Sequence, residues 1–207
     1  MRRSLKQGQT LARYPDSHKQ AAREAILKNA AERFRRDGIA AVGVRSLMAD
    51  AGLTHGGFYA HFSSRADLVA AAAEAAAQRT LGYFTEVLAA APPDRKLETL
   101  IATYLRPRHR THMDLGCAAA ALAPEIAREP PETRQRFGAQ TGRMIQLIAD
   151  HLPAGGTPEQ RDLRASTVFA AMMGVLQLMR IETDEAAVAR LVREGRDAAL
   201  SLANRPW

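Results

Sequence analysis

At 207 residues the chain is long enough to bury a sizeable core, as one larger domain or as a small domain fused to a larger one, and its formal net charge is +7. Only 5% of its residues are aromatic, alanines are many and β-branched runs few, a balance that favours an all-helical protein. The single cysteine, Cys117, excludes an internal disulfide framework and suits a reducing compartment, while charges interrupt every alanine-rich run, so neither a signal peptide nor a membrane span is expected and the protein is expected in the cytoplasm.

In chain order, residues 1–16 are basic, lack hydrophobic periodicity and end in Tyr14-Pro15-Asp16, the pattern of a mobile arm. A first helix is predicted over residues 17–37, with Ala22, Ile26, Ala30 and Phe34 as its buried stripe and Gly38 as its stop. Ile39 and Val42 bridge to residues 43–62, which read as two short helices joined by a tight turn. Val44, Leu47, Met48 and Ala51 recur at helical spacing, Gly52 stands where a left-handed residue would end the helix, and Leu53 can plug the corner. Thr54 has the hydroxyl to cap a second helix over residues 55–61, on which Phe58 and Phe62 share one face while His55, Tyr59 and His61 point elsewhere. A helix anchored on one side and polar on the other is what the major groove takes from a helix-turn-helix.

Beyond it, Ser64 and Asp67 resemble a capping box opening a helix to about residue 88. Ala91-Pro92-Pro93 ends that helix, and Asp94 is expected to cap the next, which runs to about residue 105. Residues 106–114 read as polar and irregular; helices follow over about 115–128 and 132–151, then a loop over 153–158, then helices over 158–181 and 184–203, about nine in all. The last two are too apolar for one-sided burial: Leu163, Val168, Met172, Val175, Leu176 and Met179 on the first, Val188, Leu191, Val192, Ala199 and Leu202 on the second. Gly174 would permit close helix approach, and self-pairing about a two-fold axis is the commonest answer to such a surface; burial of both helices within one chain is the alternative.

The charge is unevenly spread. Residues 1–65 hold twelve Lys or Arg against five acids, whereas residues 66–207 hold seventeen of each. All the net charge therefore accompanies the helix-turn-helix pattern, and a basic lobe on a neutral body is what a polyanion selects, since affinity for DNA comes largely from phosphate neutralisation.

The run from Gly38 to Leu68, G-I-A-A-V-G-V-R-S-L-M-A-D-A-G-L-T-H-G-G-F-Y-A-H-F-S-S-R-A-D-L, resembles the N-terminal signature of the tetracycline-repressor (TetR) family of bacterial regulators. The strong match spans residues 19–68, and the later order of helices and proline breaks fits too. Phe34, Gly38 and the stretch Tyr59 to Phe62 coincide with family positions. The resemblance implies a basic arm over 1–16, a three-helix DNA-binding domain over 17–78, and a helical effector-binding and dimerisation domain over 79–207, the dimer made by the last two helices.

Carried across, the resemblance assigns Arg45 to the DNA backbone or a base edge, Thr54 to a phosphate, and Tyr59 and His61 to phosphates. Arg65 stands where the family usually has a lysine, and keeps the charge while adding a planar fork. Gly56 and Gly57 are unusual, because glycine costs roughly 1 kcal/mol in a helix interior. They strip side chains from the reading surface and place much of the base readout on His55, with shape readout or the arm supplying the rest.

The partners so implied are a double-stranded operator, a small-molecule effector and a second copy of the chain, in a repressor without catalytic activity. Phe84, Tyr104, Met113, Cys117, Phe137, Met144, Met173 and Gln177 are the candidate pocket lining. No His-Glu-x-x-His, Gly-x-Ser-x-Gly or phosphate-binding loop occurs, so no cofactor is expected. His109, His112, Asp114 and Cys117 crowd together, but their spacing fits no strong metal template and Arg106, Arg108 and Arg110 would repel a cation, so no metal is expected and the histidines read as exposed. Cys117 at a helix start, near Arg108 and Arg110, invites a lowered pKa, and the resemblance allows sensing, since some family members with Gly-Cys there respond to electrophiles or oxidants; a buried apolar filler is the other reading. The rival from another class is a small helical enzyme or metal-binding protein whose basic lobe is incidental.

Overall fold

The computed structural model describes residues 16–207, with side chains from residue 18, so the arm expected over residues 1–16 lies outside them apart from Asp16, which opens the first helix. Helix α1 (Asp16–Asp37) ends where Gly38 takes a φ of 85° and its N–H reaches back to the Phe34 carbonyl at 3.0 Å. Helix α2 (Val44–Asp50) ends at Gly52, φ 70°, with Gly52 N–H on the Ala49 carbonyl and Leu53 N–H on the Met48 carbonyl, the paired bonds of a Schellman stop. A 3-10 segment, His55–Ala60, follows, and the long helix α3 (Arg65–Ala90) then runs from the N-terminal lobe into the body of the protein. Ser64 caps α3 by accepting from Asp67 N–H at 3.1 Å, but the Asp67 carboxylate turns to Ser63 N–H at 3.0 Å, one residue short of a reciprocal box.

The remainder is α4 (Lys96–Tyr104), α5 (Pro107–Thr111), α6 (Ala118–Ile126), α7 (Pro131–Ala149), α8 (Pro158–Ile181) and α9 (Glu185–Ala203), with 3-10 turns at Pro93–Arg95 and Met113–Leu115. Two expectations are corrected. Asp94 does not cap α4; it lies within the Pro93–Arg95 turn. Residues 106–114 are not irregular, because Pro107 sits at the first helical position, where its missing N–H is no loss and its fixed φ favours the helix. No strand occurs among the described residues, and no helix there is long and apolar enough to cross a membrane.

Ile26, Ala30 and Phe34 of α1 are buried, as are Leu68 to Ala73, Ala76 and Ala77 of α3, a small-residue face against which α1 packs closely. Helix α1 also meets the Met113–Leu115 turn and α6. There Glu125 of α6 accepts the Ala40 N–H at 3.0 Å and so ties the α1–α2 connection to the larger domain. Helices α8 and α9 pack against each other, tightly at Gly195: a Cβ there would lie 2.6 Å from Val175 Cγ1. Gly174, expected to allow close approach, has open space around it within the chain. Trp207 folds back over Gly155 and Gly156, donating to the Ala154 carbonyl at 2.9 Å beneath the Arg164 guanidinium.

Candidate nucleic-acid interface and effector cavities

Helix α2 is held from below by buried Leu47 and Met48 and from the side by Arg33 of α1, which reaches Asp50 at 2.9 Å and the Ser46 hydroxyl at 3.0 Å. The segment after the turn closes as a 3-10 helix and not as the expected α-helix: Gly57 N–H reaches the Thr54 carbonyl at 3.0 Å and His61 N–H the Phe58 carbonyl at 2.9 Å. Two adjacent glycines in a six-residue element carry the full backbone entropy cost with no side chain to bury, so the tighter turn wins. Thr54 occupies the cap position in an extended conformation, yet its hydroxyl makes no capping bond, which corrects that part of its assignment.

What orients the segment is its aromatic face. Phe58 and Phe62 are buried with ring centroids 5.6 Å apart, Phe58 meets Tyr59 edge-on at 5.2 Å, and the Arg23 guanidinium lies 5.0 Å over the Phe62 ring. With that face fixed, Tyr59 is 72% exposed, and His55, Gly56, Thr54 and Arg45 are exposed as well. Leu53 is half-buried against the core, as the corner requires. Neither Gly56 nor Gly57 has a positive φ; a Cβ at Gly56 would meet nothing, and at Gly57 it would make ordinary contacts of 3.7 Å to Met48 and 3.8 Å to Thr54. The fold therefore tolerates side chains at both positions, and the bare backbone belongs to the surface. Arg65 has a structural duty beside any phosphate, because one of its amino groups donates to the Ile39 carbonyl at 2.7 Å; its fork retains further donors. His61 is half-buried, its Nδ1 without a partner, and burial followed by the Lys19 and Arg23 charges holds its pKa below 6.5. It therefore meets a partner near pH 7 as a neutral hydrogen-bonding ring.

The eight expected pocket residues do not converge on one cavity. Phe84, Tyr104 and Cys117 are buried together, Tyr104 stacking on Phe84 at 5.7 Å and standing edge-on to His109 at 4.8 Å and Phe169 at 6.1 Å. Phe137 and Met173 instead line a groove of about 450 Å³ between α6, α7 and α8. Met144 is buried, Met113 is 36% exposed, and Gln177 lies on the surface with its amide donating to the Ala120 carbonyl.

His109, expected at the surface, is a buried strut. Its Nδ1 lies 2.7 Å from the Tyr104 carbonyl and its Nε2 accepts the Cys117 N–H at 2.7 Å, which fixes the neutral ring with the proton on Nδ1. Burial above all, with the Arg180 and Arg106 charges adding, lowers its pKa to about 4 against the upward pull of the Tyr104 carbonyl. Cys117 is fully enclosed at the start of α6, where its sulfur accepts the Ala120 N–H at 3.5 Å. Burial raises its pKa despite hydrogen bonds and the Arg180 charge, the reverse of the lowering expected from a helix start near arginines. Among the described residues, no group of three or more His, Cys, Asp or Glu is placed to hold a metal.

Residues 26–72 match the family model described as bacterial regulatory proteins, tetR family. No curated protein sequence matches the chain. Among solved structures it is similar to a TetR transcriptional regulator from Chloroflexus aurantiacus J-10-FL, with a TM-score of 0.73 and 23% identity over 90% of this chain and 96% of that one. It is similar to the reduced form of E. coli NemR, with a TM-score of 0.70 and 17% identity over 89% and 98%. A TetR-family transcriptional regulator from Agrobacterium tumefaciens gives 0.70 and 19% over 86% and 97%. At these identities the structural likeness speaks for the fold.

Proposed function

Because residues 26–72 match the family of bacterial regulatory proteins described as tetR and the chain shares the fold of solved regulators so described, we propose that it is a homodimeric, effector-responsive repressor of that family acting on a palindromic DNA operator. The observation that carries this reading is the exposed polar edge of the His55–Ala60 segment, held rigid by Phe58 and Phe62, in a chain whose whole net charge falls within residues 1–65. Arg45, Thr54, Tyr59, His61 and Arg65 supply phosphate contacts, His55 supplies base readout, and Gly56 and Gly57 let the backbone approach the groove.

Two further features support the reading. Leu163, Thr167, Ala170, Gly174, Leu178 and Ile181 follow helical spacing along α8; all are exposed, with Leu163 at 70% and Ile181 at 78%, and Gly174 leaves its centre open. Pairing this stripe with a second copy buries it and sets two reading segments on one face of a duplex, about one helical repeat of roughly 34 Å apart. The groove that Phe137 and Met173 line, about 450 Å³, is of a size that small effectors fill. An effector that favours a different spacing of the reading segments releases the operator.

The deciding experiment selects duplexes from a random pool and titrates the winner against salt. A palindromic site should emerge, and binding should fall by about 10³ to 10⁵ between roughly 50 and 200 mM salt if six to ten phosphates are engaged. An unenriched pool, or binding indifferent to salt, would refute the reading.

A further inference from the structure

A second groove, of about 380 Å³, lies between the C-terminal half of α3 and the α5 region, and its lining contains three arginines, Arg79, Arg106 and Arg108, and no carboxylate. We propose that this groove takes an organic carboxylate with a flat apolar body, and that the bound anion draws Arg79 away from Glu32 of α1. The inference rests on the regulator reading for the second half, the consequence for DNA, and on the groove alone for the first.

The groove's charge is unusually unbalanced. Among the described residues neither Arg106 nor Arg108 has a carboxylate within ion-pairing distance, and Arg106 Nε is buried without an acceptor. The terminal amino groups of these arginines, which in the case of Arg106 and Arg108 make no ion pair among the described residues, are the donors a groove ligand meets, and a carboxylate engages them in a two-pronged geometry that water matches poorly. His109 shares the lining but is locked neutral, with both nitrogens engaged, so the field comes from the arginines. The apolar half is equally defined. Tyr83, 38% exposed, carries the Arg106 guanidinium 5.3 Å over its ring, and Leu115 is 55% exposed beside it. A flat hydrophobic body can lie against these two while its carboxylate meets the arginines, and the volume falls in the range of small-molecule sites, about 300 to 1,000 Å³.

The route to the other lobe is a single ion pair. Arg79 donates to Glu32 at 2.9 Å, joining α3 to the helix that supports the reading segment. An anion in the groove competes with Glu32 for the same guanidinium, so the charge that attracts the ligand also braces α1.

The test uses the full chain, with 2-naphthoate as probe and neutral 2-naphthamide as its control, titrated calorimetrically at constant ionic strength. Naphthoate should bind at least about tenfold more tightly than the amide, and Arg106→Gln and Arg108→Gln should each weaken it by about tenfold or more. Arg134→Gln, exposed on α7 outside the groove, should leave it unchanged. Glu32→Gln frees Arg79, so it should tighten naphthoate binding while diminishing the effect of naphthoate on the selected duplex. Because Arg108 is exposed, Arg108→Glu gives a charge-reversed variant whose melting curve verifies folding independently. Equal affinities for acid and amide, or unchanged binding in folded Arg106 and Arg108 variants, would overturn the site. Naphthoate bound without any change in duplex affinity would overturn the coupling. Failure of the regulator reading looks different: no duplex is bound specifically, with or without naphthoate.

Discussion

Replacing His109 by glutamine should remove a defined part of the protein's acid sensitivity. The imidazole is held neutral between the Tyr104 carbonyl and the Cys117 N–H, and its pKa is lowered from 6.5 to about 4, chiefly by burial. Above pH 6.5 the ring is neutral in both the folded and unfolded chains, and the stability it allows is fully present. As pH falls below that value the unfolded chain takes up the proton while the folded chain refuses it, so stability drains until the folded pKa is reached. A difference of this size corresponds to about 3 kcal/mol lost by pH 4, at 1.36 kcal/mol for each tenfold change. Glutamine can accept the Cys117 N–H and donate to the Tyr104 carbonyl, but it does not titrate. Wild type should be the more stable at pH 7, since Gln fills the aromatic site less well, and the gap should shrink by about 2 to 3 kcal/mol by pH 4.5. His61, whose pKa is also lowered, and the carboxylates contribute equally to both proteins and cancel. Urea unfolding followed by circular dichroism, at one fixed protein concentration because assembly shifts apparent stability, measures the gap. Parallel stability curves for the two proteins from pH 7 to 4.5 would refute the reasoning.

Gly195→Ala should destabilise the fold by about 1 to 2 kcal/mol net, because its Cβ would overlap Val175 and the helix-propensity gain of about 1 kcal/mol only partly offsets the strain; thermal melting reads it. Gly174→Leu, with open space around it, should leave the melting of the individual fold intact but shift sedimentation from dimer to monomer, and a wild-type monomer at micromolar concentration would end the dimer proposal. Cys117 should resist a thiol reagent at pH 7 in the folded protein and react once urea exposes it, since the thiol is enclosed and its pKa raised; prompt labelling of folded protein would contradict this. Tyr59→Phe should weaken all duplexes alike, whereas His55→Ala should change the sequences a random pool yields; an unaltered pool would move base readout away from His55.

The parts of the fold legible in the sequence are those whose signals are local. Gly38 and Gly52 end helices because only a residue without Cβ takes those left-handed turns cheaply, and both do so here. Pro158 and Ile181 bound α8 as the loop and periodicity predict, reinforced by a Thr157–Gln160 capping box. The Phe58 and Phe62 spacing foretold which face of the reading segment is buried, but not its 3-10 form, because a glycine pair only weakens a helix and the tertiary frame decides what replaces it. Pro107 was a readable signal for α5, overshadowed by the polarity around it. His109 had no such signal. Its burial follows from the meeting of α4, α5 and α6, which places a backbone acceptor on one ring nitrogen and a donor on the other. Gly195, Glu125 and Arg79 were invisible for the same reason: each acts on a residue at least 20 positions away in sequence.

Helix α1 is where the two lobes have to agree. Its Arg33 grips Asp50 and Ser46 of α2, its Glu32 holds Arg79 of α3, and the connection that follows it is tied by Ala40 to Glu125 of α6. Between these polar ties α1 packs on α3, whose buried residues are largely alanines, Ala72, Ala73 and Ala76 among them. A face of small side chains brings the helix axes close but offers shallow ridges, so it resists separation more than it resists a small slide. Register is then left to the polar ties, each of which exchanges a partner at far lower cost than the core repacks. Arg35 adds to this asymmetry: it is buried at the same seam, with one bond to the Ala76 carbonyl at 3.3 Å and its Nε unpaired, and burial foremost lowers its pKa to about 10. The seam is thus apolar within and pinned at its rim by Arg33–Asp50 and Glu32–Arg79, and these part-exposed rim charges are the ones an ionic ligand can reach.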